Sequence, residues 1–280
     1  MTGSIVWLAS YPKSGSVWMR LLIANLITAS KYDFNRLDLI WRTPHSRHNF
    51  ERISLIDSSL LLQDEIDELR PSVTEAMAQE ETGNVYFWLH DAYQILANGQ
   101  PLSGKAPTRI AFYMLRDPRD VAVSFAYHSG VSVDEAITVL NNPKQFLCLQ
   151  KKRYQPQVHQ MIGDWSHHVA SWTEQQDVPV ILIRYEDLYR EPIPILQNVA
   201  EWLGIKGSQT ALEQAIRHAE FSELQRQEKQ YGFSNRPVQS TQPYFRSGKA
   251  GAWKEVLTLQ QQRLIEQKHH DMMVRYGYLD

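Results

Sequence analysis

The sequence predicts an α/β protein in which helices cover both faces of a central parallel sheet. Short runs of β-branched and aromatic residues alternate with segments of helical periodicity along the first two thirds of the chain. This alternation is typical of parallel βαβ units. The chain of 280 residues can bury one sizeable core, and it contains no repeat, low-complexity tract or linker that would divide it. We therefore predict one domain over residues 1–280 with three α/β/α layers.

The strands are predicted at four short apolar runs. These runs cover residues 5–10, 85–90, 110–115 and 178–183. In a sheet of this kind, ligands gather at the carboxyl ends of the strands. The turn over residues 11–16, His90 and Arg116 all follow predicted strands, so we expect them at that edge of the sheet.

The helices are predicted from apolar residues at helical spacing, beginning with one that starts at Val17. A second covers residues 60–78 and is interrupted near Pro71. Further helices are expected over residues 119–127, 133–140, 157–176, 193–203, 209–218 and 258–276. Residues 29–52 are predicted to be loop with short helical pieces, and residues 230–251 a long polar loop. Ordered loops of that length are usually lids or binding segments.

The overall composition excludes several classes of function. The 29 Lys and Arg residues against 31 Asp and Glu give a net charge of -2, which argues against nucleic-acid binding, so any anion site must be local. The single cysteine, Cys148, excludes an internal disulfide and suits a reducing compartment. We see no secretory signal and no apolar run of about 18 residues, so we expect a cytoplasmic protein without a membrane span.

The stretch YPKSGSVW, residues 11–18, has the layout of an anion cradle. A strand, a tight turn and a helix start direct unpaired backbone N–H groups at one spot, where the helix dipole adds partial positive charge. Lys13 adds a full charge, and Ser14 and Ser16 add hydroxyl donors. The loop is P-loop-like and suits phosphate or sulfate, although its lysine precedes Gly15. An ordinary solvated turn is the alternative.

A second motif is the stretch LRDPRDVAVS, residues 115–124. Arg116 follows a predicted strand, and Ser124 lies eight residues later, about two helical turns along. The two side chains could converge on one phosphate. The alternative is a helix-capping loop in which Arg116 pairs with Asp117 or Asp120.

A third motif, YFRSGKAGAWK, occupies residues 244–254. Basic residues alternate there with two glycines, which gives a flexible backbone and positive charge together. A basic lid and a plain solvated loop both agree with this pattern.

Together the three motifs resemble those of the sulfotransferases that use 3′-phosphoadenosine 5′-phosphosulfate (PAPS), over residues 11 to about 254. The first is similar to the family's Tyr-Pro-Lys-Ser-Gly-Thr-Thr-Trp loop, which holds the 5′-phosphosulfate. The arginine-to-serine spacing and the late Arg-x-Gly-x-x-Gly-x-Trp-Lys pattern match its two 3′-phosphate segments. The resemblance implies transfer of a sulfuryl group from PAPS to an acceptor hydroxyl.

The resemblance also implies roles for individual residues. Lys13 would neutralise charge on the departing phosphate oxygen, and Trp18, Tyr185 and Phe221 would contact the adenine, although core packing is the alternative for these aromatics. The implied cofactor-binding residues are Lys13, Ser14, Gly15, Ser16, Val17, Trp18, Arg116, Ser124, Tyr185, Phe221, Arg246, Ser247 and Gly248.

His90 matches the histidine that deprotonates the acceptor in cytosolic members of the family. Histidine suits this role because its ordinary pKa lies near neutral pH. Asp91 is a second candidate base. Trp88 stands where many cytosolic members have a lysine, which puts the acceptor class in question. We expect a small-molecule or lipid-like hydroxyl acceptor, no nucleic-acid partner and a possible oligomer. No metal is expected, because no residues have metal-ligand spacing.

Two other functions stay open at this stage. A P-loop small-molecule kinase would need a glycine-rich loop ending in Lys followed by Ser or Thr, which the sequence lacks, and an acidic magnesium site. A non-catalytic nucleotide-binding protein of the same fold would share the motifs without the chemistry.

Overall fold

The computed structural model describes residues 3–104, 107–149, 155–234, 236, 240 and 242–280. The strands within this part of the chain are β1 (Ser4–Ser10), β2 (Trp41–Arg42), β3 (Asn84–Leu89), β4 (Thr108–Leu115), β5 (Phe146–Leu147), β6 (Gln160–Met161) and β7 (Val180–Arg184). All four predicted strands are present, with ends shifted by one or two residues.

A five-stranded parallel sheet forms the centre of the fold, in the order β2-β3-β1-β4-β7. In the pair β1 and β3, Ser4 lies opposite Asn84 and Ala9 opposite Leu89. The sheet is flanked by helices, so the predicted α/β/α class with a central parallel sheet is confirmed. The edge strand β2 is only two residues long and has no periodicity to predict it. β5 and β6 form a separate antiparallel pair.

The helices follow most of the predicted segments. They are α1 (Ser16–Thr28), α2 (Arg47–Ser54), α3 (Gln63–Gln79), α4 (Pro118–Ser129), α5 (Val133–Leu140), α6 (Trp165–Glu174), α7 (Tyr185–Arg190), α8 (Pro192–Leu203), α9 (Gln209–His218), α10 (Phe221–Tyr231) and α11 (Leu259–Arg275). Short 3₁₀ turns occupy Phe34–Leu39, Ser58–Leu60 and Ala252–Glu255.

Two predictions about helices are wrong, and one helix is missing from the predictions. The predicted break at Pro71 is absent, because α3 runs through it with a buried face that outweighs one lost backbone hydrogen bond. The helix predicted from residue 157 begins only at Trp165, where Asp164 caps it by accepting the His167 N–H at 2.8 Å. α10 was not predicted because its sequence is mostly polar.

The described residues fall into two compact units. The first unit comprises the described residues of ranges 1–11, 41–113 and 142–182, and the second unit those of ranges 12–40, 114–141 and 183–280. The chain passes from one unit to the other next to the carboxyl ends of β1, β4 and β7. The single domain over residues 1–280 stays a prediction.

Each unit has its own buried core. In the first unit Trp7, Trp41, Trp165 and Trp172 are fully buried. In the second unit α1 is buried on almost every side, which explains why its apolar residues continue around the helix. Within the described ranges, no helix combines the length and apolar character needed to cross a bilayer.

Candidate functional site

The turn between β1 and α1 forms a backbone cradle in the second unit. Lys13 and Gly15 both have left-handed backbone conformations, with φ of 72° and 100°. A left-handed lysine is a strained conformation of the kind found at ligand sites, and alternating handedness turns successive N–H groups toward one point. At Gly15 a Cβ would lie 2.6 Å from the Tyr185 ring, so the turn has no room for a side chain.

Ser14 contributes a buried hydroxyl to the cradle. Its side chain is fully buried, and among the described residues its Oγ has no hydrogen-bond partner. A buried polar group left in that state costs about 1–3 kcal/mol. An anionic oxygen bound in the cradle would supply the missing partner.

The half-buried ammonium of Lys13 lies 4.2 Å from the centroid of the Tyr244 ring. Burial, and then repulsion from the Arg116 guanidinium, lower the pKa of Lys13 to about 7. The cation–π contact compensates only part of the lost hydration. A bound anion would restore the charged form.

Arg116 connects the cradle to the segment 244–254, which we call the closing loop. Its guanidinium donates to the carbonyl oxygens of Lys13 at 3.2 Å and Lys249 at 3.1 Å, and it lies 4.2 Å from the centroid of the Tyr185 ring. Its Nε is buried and has no partner among the described residues. The arginine of the second motif therefore contacts both the cradle and the closing loop.

Asp120 anchors the closing loop from the first turn of α4. Its carboxylate accepts the Gly251 N–H at 2.7 Å and the Trp253 N–H at 2.9 Å, and lies 4.0 Å from Arg116. Burial raises the pKa of this carboxyl against the opposing effect of Arg116. From the sequence, Asp120 is predicted only as an alternative partner of Arg116, and its four-residue spacing from that arginine is the one local signal for its place here.

Aromatic rings line the same region of the second unit. Trp18 and Tyr185 meet with ring centroids 5.5 Å apart, and the Trp18 Nε1–H donates to the Ala219 carbonyl at 3.0 Å. The Tyr185 hydroxyl donates to the Gly248 carbonyl at 2.6 Å. Gly248 has a φ of 65°, and a Cβ there would lie 2.3 Å from the Phe221 ring. The structure thus brings together the predicted aromatic residues and the closing-loop glycine.

The other predicted cofactor residues lie in the same unit with different surroundings. Ser16 and Val17 are buried in the first turn of α1, and Ser124 is half-buried on α4. The Arg246 guanidinium lies 4.0 Å from the centroid of the Tyr127 ring, and Ser247 Oγ accepts the Lys249 N–H at 3.4 Å. Tyr244, which packs on Lys13, was not among the predicted site residues.

His90 belongs to the first unit, directly after β3, and is half-buried. Its Nδ1 lies 2.8 Å from the Ser10 carbonyl oxygen and 3.2 Å from Ser10 Oγ. Because a carbonyl only accepts hydrogen bonds, this pattern assigns the proton to Nδ1 and the lone pair to Nε2. The Trp88 ring packs edge-on against His90 with centroids 5.3 Å apart.

Asp91, the second candidate base, is a buried structural residue. Its two carboxylate oxygens accept from the Arg70 guanidinium at 2.9 and 2.7 Å, and both side chains are almost fully buried. Such a bidentate pair engages both carboxylate oxygens and holds the side chain in a fixed position. Asp91 is therefore not arranged to receive a proton from an acceptor.

The fold and the cradle define an α/β protein with a backbone anion site after the first strand of a parallel sheet. A family model described as the sulfotransferase domain matches residues 4–277. The chain belongs to the sulfotransferase family. The prediction of a PAPS-dependent sulfotransferase is confirmed at the level of family and reaction class.

Several relatives and solved structures are similar to the chain. Cytosolic sulfotransferase 17 of Arabidopsis thaliana is 25% identical over 264 residues, covering 90% of this chain and 69% of the relative. Flavonol 3-sulfotransferase of Flaveria bidentis is 26% identical over 271 residues, covering 90% and 76%. A crystal structure of retinol dehydratase with androsterone and the inactive cofactor PAP has a TM-score of 0.65 at 17% identity, covering 98% and 81%. At that identity the structural likeness shows the fold.

Proposed function

We propose that the protein transfers the sulfuryl group of PAPS to a hydroxyl of a small-molecule or lipid-like acceptor. The observation that carries this proposal is the contact of Arg116 with both the cradle and the closing loop inside the second unit. Two basic segments more than 100 residues apart in sequence are thereby joined by one guanidinium. PAP in the related retinol dehydratase structure supports PAPS as the donor.

The residues of the second unit suit the donor. Ser14 Oγ and Arg116 Nε are buried polar groups without partners among the described residues, and both would gain one from a phosphate. We assign the 5′-phosphosulfate to Lys13 and the backbone and hydroxyls of residues 14–17. We assign the 3′-phosphate to Arg116 and Ser124 with residues 246–248, and the adenine to Trp18, Tyr185 and Phe221.

In the reaction the acceptor oxygen forms a bond to sulfur while the bond between sulfur and the bridging phosphate oxygen breaks. The electron pair of that bond leaves with PAP, and the acceptor proton passes to Nε2 of His90. Lys13 stabilises the negative charge that develops on the departing phosphate oxygen. Because the transition state of this transfer is loose, positioning and charge neutralisation supply most of the catalysis.

The acceptor is assigned from the relatives and from the surroundings of His90. The similar plant enzyme flavonol 3-sulfotransferase is named for a flavonol, which is a small hydroxyl compound. Next to His90 stands Trp88, an apolar ring in place of a cation. Both features favour an uncharged hydroxyl compound over a polyanion. A cytoplasmic location is proposed on the relatives named cytosolic sulfotransferases.

Variants in both units test the proposed reaction. We expect Lys13→Ala and His90→Ala each to lower turnover by about a hundredfold or more, the order expected when a charge-stabilising or acid–base group is lost. Turnover is measured with radiolabelled PAPS across a panel of acceptor alcohols. The exposed Lys229 and His48 provide matched controls, and their alanine variants should retain wild-type rates.

A binding comparison separates the remaining alternatives. If ATP with magnesium binds more tightly than PAP, the protein uses another nucleotide and the proposal fails. If PAP binds but Lys13→Ala and His90→Ala leave turnover unchanged, the residues have been assigned wrongly. If PAP binds and no acceptor is sulfated, a non-catalytic binding role takes the place of the enzyme.

A further inference from the structure

Side chains link the carboxyl ends of three neighbouring strands in the first unit. The Tyr113 hydroxyl, on β4, lies 2.8 Å from Nδ1 of His168, and Nε2 of His168 lies 3.0 Å from the His90 carbonyl oxygen. His90 Nδ1 in turn meets the Ser10 carbonyl at the end of β1. We call these four residues, Tyr113, His168, His90 and Ser10, the strand-end network. Its hydrogen bonds run from β4 through His168 to the end of β3 and from there to the end of β1. These three strands are neighbours in the sheet, in the order β3-β1-β4.

The partners of His168 define its tautomer. The His90 carbonyl only accepts, so Nε2 of His168 carries the proton, and Nδ1 accepts from the Tyr113 hydroxyl. Burial lowers the pKa of His168 to about 3, so the ring stays neutral at physiological pH. Both hydrogen bonds are therefore compatible with the neutral form of the ring.

His168 itself has no access to an acceptor. Its side chain is fully buried on α6, and the Tyr11 ring packs edge-on against it at a centroid distance of 5.4 Å. A buried neutral imidazole with both nitrogens engaged cannot take up the acceptor proton. Its hydrogen bond toward the proposed chemistry goes to the main chain of His90.

We propose that His168 is a positioning residue that fixes the main chain of His90, so that the imidazole of His90 keeps the orientation needed to receive the acceptor proton. The inference rests on the proposed role of His90 as the base. The Ser10 carbonyl holds the ring of His90 by accepting from its Nδ1. His168 holds the main chain of His90 by donating from Nε2 to the His90 carbonyl oxygen. Two constraints on one residue hold it more closely than either alone, which is how supporting groups position a catalytic side chain.

Replacement of His168 by amides tests this role. The amide nitrogen of Gln occupies a place similar to Nε2, so His168→Gln keeps a donor for the His90 carbonyl, whereas the shorter His168→Asn does not. We expect His168→Asn to lower kcat about 10- to 100-fold, the range seen when a supporting partner is lost. KM for PAPS and the affinity for PAP should stay unchanged. His168→Gln should restore most of kcat.

Tyrosine variants provide a second measurement and a matched control. Tyr113→Phe removes the donor that holds the His168 tautomer and should lower kcat in the same direction by a smaller factor. Tyr93, also in the first unit, donates to Asp177 at 2.7 Å outside the network. Tyr93→Phe should leave kcat at the wild-type value. Thermal unfolding and PAP binding report whether each variant is folded.

The possible results separate this inference from the proposed function. If His90→Ala loses turnover while folded His168→Asn keeps it, the positioning role is wrong and the base assignment stands. If His90→Ala keeps turnover, the base assignment fails and the positioning role fails with it. A loss in His168→Asn that Gln does not restore, or that Tyr93→Phe matches, indicates general destabilisation and overturns the inference. Should His168→Asn not fold, wild-type kcat in Tyr113→Phe overturns it.

Discussion

Lys13 shows how the cradle couples backbone strain to charge. Its left-handed conformation turns the peptide groups of the loop, and its side chain lies against Tyr244 beside a second cation, Arg116. Each feature is unfavourable in isolation. Both become favourable when an anion occupies the loop, so the backbone conformation and the charges of the cradle suit a phosphate.

The lowered pKa of Lys13 predicts that PAP binding depends on pH. Below pH 7 Lys13 is charged in the ligand-free protein, whereas above its pKa of about 7 a phosphate must bind together with a proton. We expect PAP affinity to fall between pH 7 and 9 by up to about tenfold per pH unit. Titration calorimetry in buffers of different ionisation enthalpy measures the proton taken up. Lys13→Ala should abolish most of that uptake, and an unchanged uptake would contradict the assignment.

The same shift has a defined effect on stability. The pKa of Lys13 is lower in the folded protein than its ordinary value of 10.5, so the unfolded chain binds more protons between pH 7 and 10.5. Stability rises with pH wherever the unfolded state binds more protons. Lys13 thus destabilises the ligand-free protein most below pH 7 and progressively less above it.

At the scale of elements, the closing loop is held by hydrogen bonds that come from two helices. Asp120 on α4 accepts the Gly251 and Trp253 N–H groups, and Glu228 on α10 accepts the N–H groups of Tyr244 at 2.6 Å and Phe245 at 2.9 Å. The loop therefore has an anchor near each end, and between them the Gly248 carbonyl accepts from Tyr185.

The anchor on α4 can be tested by Asp120→Asn. The amide keeps one acceptor but presents its NH₂ group to the second N–H, so one bond and the negative charge are lost. We expect the Kd for PAP to rise about tenfold or more, because hydrogen bonds to a charged group contribute about 1.5–3 kcal/mol. Loss of the charge near Arg116 acts in the opposite direction, but that pair is 4.0 Å apart against 2.7 and 2.9 Å for the loop bonds.

Asp271, an exposed residue of α11, is the control for that substitution. Asp271→Asn should bind PAP with wild-type affinity in the same calorimetric assay. If Asp120→Asn also binds PAP as the wild type does, the loop does not depend on its anchor at α4.

Local patterns explain which parts of the fold and site were predictable. The four predicted strands and the cradle were predictable because apolar runs, glycine positions and the lysine lie within a few adjacent residues. The two-residue strand β2 and the polar helix α10 lack such a pattern. Asp120 lies 131 residues from Gly251, and Tyr113 lies 55 residues from His168, so neither contact leaves a local signal.

At the scale of the whole molecule, the proposed cofactor residues and the proposed base fall in different compact units. Every predicted cofactor residue from Lys13 to Gly248 belongs to the second unit, and His90 with its strand-end network belongs to the first. Probes of the proposed nucleotide contacts and of the proposed base can therefore be placed in different units.

Hydrogen exchange tests this division directly. A ligand that binds only the folded state stabilises it by about 2.7 kcal/mol at 100 times its Kd. We expect PAP to slow amide exchange most strongly in residues 13–18 and 246–253, where it is proposed to bind, and to slow exchange in residues 85–90 only as far as it stabilises the folded state as a whole. Lys13→Ala should lose the protection at equal PAP concentration. Protection confined to the first unit would contradict the assignment of the nucleotide site.

The lowered pKa of Lys13 also has a consequence for covalent chemistry. An amine that is half deprotonated near pH 7 is a nucleophile, whereas a lysine in water, with a pKa of about 10.4, is almost entirely protonated there. Amine-directed acylating reagents should therefore modify this one side chain ahead of the others, and PAP should shield it. Lys13 is thus a residue to which a selective irreversible inhibitor can be attached by acylation.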